Sequence, residues 1–225
     1  MKHHYLAIAV LCGAALAVSA IAEDKLVPLQ TSLPKPQFQG TPVPFNIPNL
    51  DKPGKKEPVQ IPEGCVNLAL KKPVTSSDQF PVIGELNMVT DGSKEGVEGS
   101  FVELGPGDQW VQIDLGQKSK IYALAMWLYH AQARVYHDVI IQISDDKDFI
   151  SGVKTVFNND HDNSSGMGIG KDPAYIEGYE GRQFKIAGVE GRYVRVHTKG
   201  NTSNEMNHFT EIEVSGKKYF RLSKM

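Results

Sequence analysis

Cysteine is almost missing from this chain. Its 225 residues include two, Cys12 and Cys65. If Cys12 lies in a removed leader, Cys65 has no internal partner and the core must hold without a disulfide. Charge of one sign is also lacking: 24 basic residues face 26 acidic ones, a net −2. That balance gives no basic footprint for nucleic acid. No C-x-x-C, H-E-x-x-H or G-x-S-x-G occurs, so the common thiol-redox, zinc-protease and nucleophile-elbow signatures are absent. The run Gly166-x-Gly168-x-Gly170-Lys171 has Asp172 where a phosphate loop needs Ser or Thr. Without a visible nucleophile or acid–base pair, the expectation is a protein that is not an enzyme.

Long apolar runs are scarce, with one exception. Leu6 to Val18 is apolar, follows Lys2-His3-His4, and leads to Ala20-Ile21-Ala22. This is the pattern of a secretory signal peptide, residues 1–22, cleaved after Ala22. The competing reading is a retained anchor, for which the run is at the short limit. Cleavage would leave no membrane span and a secreted, periplasmic or cell-envelope protein.

Proline is scarce everywhere but in one place. Pro28, Pro34, Pro36, Pro42, Pro44, Pro48, Pro53, Pro58 and Pro62 are nine of the chain's 13. Residues 23–62 therefore read as an extended arm. Leu29, Leu33, Phe38, Phe45, Ile47 and Leu50 are too apolar for a plain linker, which predicts that part of the arm lies along the folded domain.

What the chain has in plenty is alternation. In Trp110–Gly116, Asp138–Asp146, Gly191–His197 and Phe209–Gly216, apolar and polar residues alternate up to a Gly or Asp. A period of two is the pleat of a strand with one dry and one wet face. Strands are expected near Val74–Ser76, Phe101–Leu104, Trp110–Leu115, Ile121–Tyr129, Asp138–Ser144, Lys154–Asn158, Arg182–Ile186, Tyr193–His197 and Thr210–Val214. Ile121–Tyr129 is apolar on both sides: Ile121, Ala123, Ala125 and Trp127 on one, and Tyr122, Leu124, Met126 and Leu128 on the other. That predicts a central strand covered on both faces. The fold class is all-β, an antiparallel sandwich over residues 63–216, with 217–225 as a basic tail or extra edge strand.

Six segments, in order, resemble the discoidin domain, also called the coagulation factor V/VIII C-terminal type. They are Asn67–Ser77, Val89–Gly92, Trp110–Gly116, Tyr136–Asp146, Gly191–Val196 and Glu211–Gly216. The resemblance implies a galactose-binding-domain-like jelly roll of the bacterial secreted type. The family's modules bind carbohydrate, membrane lipid or proteins. The chain departs from it at Ser93-Lys94-Glu95-Gly96, in the long stretch Asn158–Tyr175, and in lacking the cysteine pair of animal members.

Asp91, Ser93 and Glu211 are the candidate metal ligands. A tight Asp-Gly turn offers carboxylate and carbonyl oxygens of the kind that bind Ca²⁺. The resemblance implies a structural Ca²⁺ shared between that turn and a Glu of the last strand. The plain alternative is an Asx-turn and a solvated Glu211, with Glu213 beside it on a wet edge. Asp160, Asp162, Asn163 and Ser164 begin like an EF-hand loop. Ser165 and Lys171 stand where Gly and Glu are needed, so a solvated polar loop is expected.

A sugar site needs an aromatic face for the ring and polar groups for the hydroxyls. The segment Tyr129–His137 concentrates such residues: Tyr129, His130, Arg134, Tyr136 and His137. Phe80, His161 and Asn207 complete the candidate set. Tyr129 and Tyr136 as core-rim packing is the bland alternative. The sequence thus points to a non-catalytic carbohydrate-binding module with a structural Ca²⁺. Its rival is a cell-surface structural domain that meets a protein partner through the Pro-rich arm.

Overall fold

The computed structural model describes residues 24–36, 46–52, 54 and 56–219. The signal-peptide reading and the last part of the tail fall outside them. Eleven strands follow one another: β1 (Leu26–Pro28), β2 (Gln60–Pro62), β3 (Val66–Asn67), β4 (Val74–Ser76), β5 (Val102–Leu104), β6 (Gln109–Trp127), β7 (Ile140–Ser144), β8 (Lys154–Asn158), β9 (Arg182–Thr198), β10 (Asn207–Phe209) and β11 (Glu211–Lys218). A 3₁₀ turn spans Leu86–Thr90.

Seven strands form the main sheet in the order β3-β11-β6-β9-β7-β8, with β4 added on β6. Every pairing among them is antiparallel. β5 and β10 form a second, two-stranded ribbon. The chain is an antiparallel β-sandwich.

Two pairs of expected strands are joined into single long strands. Trp110–Leu115 and Ile121–Trp127 belong to the 19-residue β6, which stops two residues short of the expected Tyr129, and Arg182–Ile186 and Tyr193–His197 to the 17-residue β9. Gly116 has φ +85° and its N–H donates to Asp114 Oδ1, at the register shift between Asp114 and Ser119. Both halves of β6 then fill one core: Val111, Ile113 and Leu115 from the first, Leu124 and Met126 from the second.

A second register shift in the β6–β9 pairing, between Ile121 and Ala123, corrects the expected alternation. Ile121 joins Leu124 and Met126 in the main core. Tyr122 packs with Ala123, Ala125 and Trp127 on the outer face. The arm covers that face. β1 pairs with β2, and Leu29 and Ile61 bury against Ala123, Ala125 and Trp127. Prolines 28 and 62 sit at the ends of this short ribbon, where a missing N–H costs little.

Candidate functional site at one end of the sandwich

β6 ends at Trp127, and the chain then crosses one end of the sandwich as Leu128–Val139. Four aromatic rings meet there. Phe101 lies edge-on to Tyr129 at 4.9 Å, and His208 stands 5.5 Å from Phe101, 5.7 Å from Tyr129 and 6.0 Å from Tyr136. The Arg134 guanidinium stacks 4.4 Å from the Tyr129 centroid. Tyr129 keeps part of its surface exposed, whereas Tyr136 and Arg134 are buried.

Burial sets the protonation here. Desolvation, and then the Arg134 charge, push the His208 imidazole down to about 4, so it is neutral near pH 7. Neutral imidazole has one donor and one acceptor. His208 Nε2 donates to Glu103 Oε2 at 2.9 Å, and the Tyr136 hydroxyl donates to Nδ1 at 3.0 Å. Burial raises the Glu103 carboxyl and the Tyr136 phenol. Arg134 Nη2 donates to Gln132 Oε1 at 3.1 Å, while its Nε and Nη1 have no partner among the described residues. A guanidinium 5% exposed with two free N–H groups leaves recognition capacity unused.

The other predicted ligand residues divide. His130 turns inward; its Nε2 donates to the Lys94 carbonyl at 2.8 Å, and burial lowers its pKa. It holds the 94–96 turn in place and is not open to solvent. Tyr136 is likewise a support. Asn207 is corrected outright. Its Oδ1 accepts from Thr198 Oγ1 and the Gly200 N–H, and its Nδ2 donates to the Gly105 and Gly107 carbonyls. All its capacity ties two loops together. His161 is far along another loop, with Nε2 on the Asp172 carbonyl at 2.8 Å and Nδ1 3.4 Å from Asn49 Nδ2. His137 and Phe80 are exposed, and Phe80 is 84% so. The Phe80 loop is fastened to β5 beside Glu103 through Val82 N–H to the Glu103 carbonyl.

Glu103 and His208 escaped the sequence reading. Glu103 fell in an expected strand and His208 in an expected loop, and nothing local showed that Asn207–Phe209 pairs with β5, with Glu103 opposite His208.

The Asp91 turn and β11 do come together. The Gly92 N–H donates to Glu211 Oε2 at 3.1 Å, and the Ser93 N–H to Asp91 Oδ1 at 2.7 Å. Asp91 and Ser93 are exposed, but Glu211 is 0% exposed, not on a wet edge. It lies opposite Trp127, on the face that the arm covers. Burial pushes its carboxyl up to about 8. Glu211 Oε1 has no partner among the described residues. Glu213 pairs with the buried Lys94 at 2.7 Å, and Lys94 also lies 4.9 Å from the Trp127 ring. A buried carboxylate with an idle oxygen, beside an exposed Asp, suits a divalent ion.

The Asn158–Tyr175 loop is not the solvated stretch expected. Asp160 is fully buried and accepts the N–H groups of Ser164 and Ser165. Oxygens of Asp138, Asp160 and Asp162 lie within 4.8 Å of one another. The Ser164 and Ser165 hydroxyls donate to Asp138, and Lys199 stands 4.0 Å from it.

No protein-family model and no curated protein sequence matches this chain. Solved structures do. A segment of the family 89 glycoside hydrolase of Clostridium perfringens aligns with a TM-score of 0.50 and 17% identity, over 68% of this chain and 15% of that one. Chitosan-binding module 1 of the chitosanase/glucanase of Paenibacillus sp. IK-5 aligns at 0.48 and 21%, over 67% of this chain and 98% of the module. The fucolectin of striped bass (Morone saxatilis) serum aligns at 0.47 and 20%, over 73% and 51%. The chain has the discoidin-type, galactose-binding-like fold.

Proposed function

We propose that this chain is a non-catalytic carbohydrate-binding module, secreted or held in the cell envelope. Its binding surface is the end of the sandwich where Phe80, Tyr129 and His137 are exposed. One observation carries the reading: Tyr129 is a part-exposed ring fixed from behind by Phe101, His208 and Arg134. A ring held so firmly loses little freedom on stacking against a sugar. Arg134 backs it with two unpaired N–H groups. The shared fold with a segment of a glycoside hydrolase supports the same reading.

Asp91, Ser93 and Glu211 would hold a structural Ca²⁺, with turn carbonyls completing an oxygen shell. The ion would neutralise the buried Glu211 and clasp the 3₁₀ turn to β11. It has no part in binding chemistry beyond that support.

The test joins a glycan array to thermal melts with and without chelator. Binding that Tyr129→Ala abolishes supports the module. Melting that drops on chelation and recovers with added Ca²⁺ supports the clasp. An array without hits removes the first, and chelator-insensitive melting removes the second.

A further inference from the structure

A cleft of about 580 Å³ lies between the arm and the segment Tyr175–Gln183, and Tyr129 is not among its lining residues. We propose that this cleft is a second ligand site, for a small neutral molecule rich in hydroxyl groups, recognised by Tyr175 and Glu177.

The volume falls in the usual range of small-molecule sites. Leu29 and Leu33 of the arm form an apolar wall opposite Tyr175 and Glu177. Such a wall suits the C–H face of a polyol or a single sugar ring. Tyr175 and Glu177 are both buried, and Glu177 is 4% exposed. Glu177 Oε1 accepts the Leu128 N–H at 3.2 Å, but Oε2 has no partner among the described residues. Neither has the Tyr175 hydroxyl. Two idle polar atoms in the wall of one cleft are uncommon in a satisfied interior.

Charge argues for a neutral ligand. The charges of the wall balance, with Lys52, Lys56 and Arg182 against Asp51, Glu57 and Glu180. Arg182 Nη1 meets Asp51 Oδ2 at 2.8 Å, and Lys56 meets Asp51 Oδ1 at 2.8 Å. Glu177 itself is held up to about 8 by burial, against the Leu128 N–H and the Arg182 charge, which favour ionisation. The Tyr175 phenol stays neutral: burial, and then the Glu177 charge, raise its pKa against the Arg182 charge. Near pH 7 the pair therefore offers two O–H donors and several lone pairs, the complement of adjacent hydroxyls. The site needs the arm, because Leu29, Leu33 and Asp51 belong to it.

The experiment is an amide-NMR titration of the full chain with galactose, N-acetylglucosamine and glycerol, up to about 50 mM, the weak end of specific binding. The Gly178 and Gly181 amides should shift with at least one of them. The Tyr175→Phe/Glu177→Leu double variant should weaken that binding at least tenfold. Glu177→Gln should keep it within about threefold, as a neutral stand-in for the protonated acid. The native affinity should fall as pH rises past about 8, and that of Glu177→Gln should not. Should the double variant fail to fold, Gly178→Trp serves. Gly178 lines the cleft and a Cβ there meets nothing within 4 Å, so the backbone accepts the bulk that should block the site. Silence at Gly178 and Gly181 with all three probes would overturn the proposal. So would shifts that survive Gly178→Trp, or shifts caused only by charged glucosamine or galacturonate. Shifts confined to the amides around Tyr129 would sink this site while leaving the sugar surface intact.

Discussion

Two long polar joins leave this sandwich, and they use their polar groups in opposite ways. The Asn158–Tyr175 join turns inward. Asp160, Asn158, Asp138 and Asp172 all accept from the backbone or hydroxyls of the join itself. Two buried atoms, Asn159 Nδ2 and the Tyr175 hydroxyl at its far end, are left over there among the described residues. The Tyr129–His137 join meets Asn201–His208 and ends differently: it keeps an exposed aromatic face and a guanidinium with two unpaired N–H groups. Length and polarity made both look functional. What separates them is whether the polar capacity is consumed inside the fold.

The largest effects should come from the residues that clamp each join. Asn207 makes four hydrogen bonds at 0% exposure, and Asp160 accepts two backbone N–H groups with its side chain at the same burial. Asn207→Ala and Asp160→Ala should each cost about 3 kcal/mol in urea unfolding, because the groups they serve stay buried without partners. A tolerated Asp160→Ala would break the contrast by showing that the acidic join does not depend on its own clamp.

The next effect is a pH dependence. Glu211 and Glu177 are both held near 8 in the fold, against an ordinary value of 4.5. The folded state then keeps protons that the unfolded chain releases, so these two groups make the metal-free protein lose stability as pH rises from about 4.5 toward 8. Glu211→Gln should remove part of that loss. With Ca²⁺ on an ionised Glu211, that residue's share of the loss should vanish. A flat profile for the metal-free chain would contradict the burial of both carboxyls.

Binding gives a smaller and sharper separation. Tyr129→Ala should weaken sugar binding at least tenfold, about 1.4 kcal/mol, while Asp162→Ala should leave it within twofold. Equal losses from both would erase the distinction between the joins.

The sequence carried the strands well, because one-sided burial writes a period of two: Val111, Ile113 and Leu115 could be placed before any coordinates. It carried the Asp91–Glu211 meeting only through the order of resembling segments, since Glu211 stands 119 positions after Gly92. It did not carry burial state. Glu211 read as wet because it shares a face with Glu213, opposite Ile212 and Val214, yet the arm covers that face through Leu29 and Ile61. The same cause hid Glu177: its cleft exists only where arm and loop meet. Long strands were cut in two at Gly116 and Gly188 because a glycine marks a bulge and a turn alike.

Phe80 and Ile169 supply the finest comparison. Both are apolar and exposed, at 84% and 70%, one beside each join. Neither side chain has packing to lose, so Phe80→Ala and Ile169→Ala should each change stability by less than about 0.5 kcal/mol. Their effects on binding should differ. The Phe80 loop is tied to Glu103, which in turn holds His208 behind Tyr129, so its ring stands at the edge of the sugar surface. Losing it should weaken sugar affinity about threefold, the share of one rim contact. Ile169 stands on a join whose carboxylates bond to the join itself, and its removal should leave affinity unchanged. Isothermal titration of both variants against one array-selected sugar decides the matter. A larger loss from Ile169→Ala than from Phe80→Ala would move the binding surface to the acidic join.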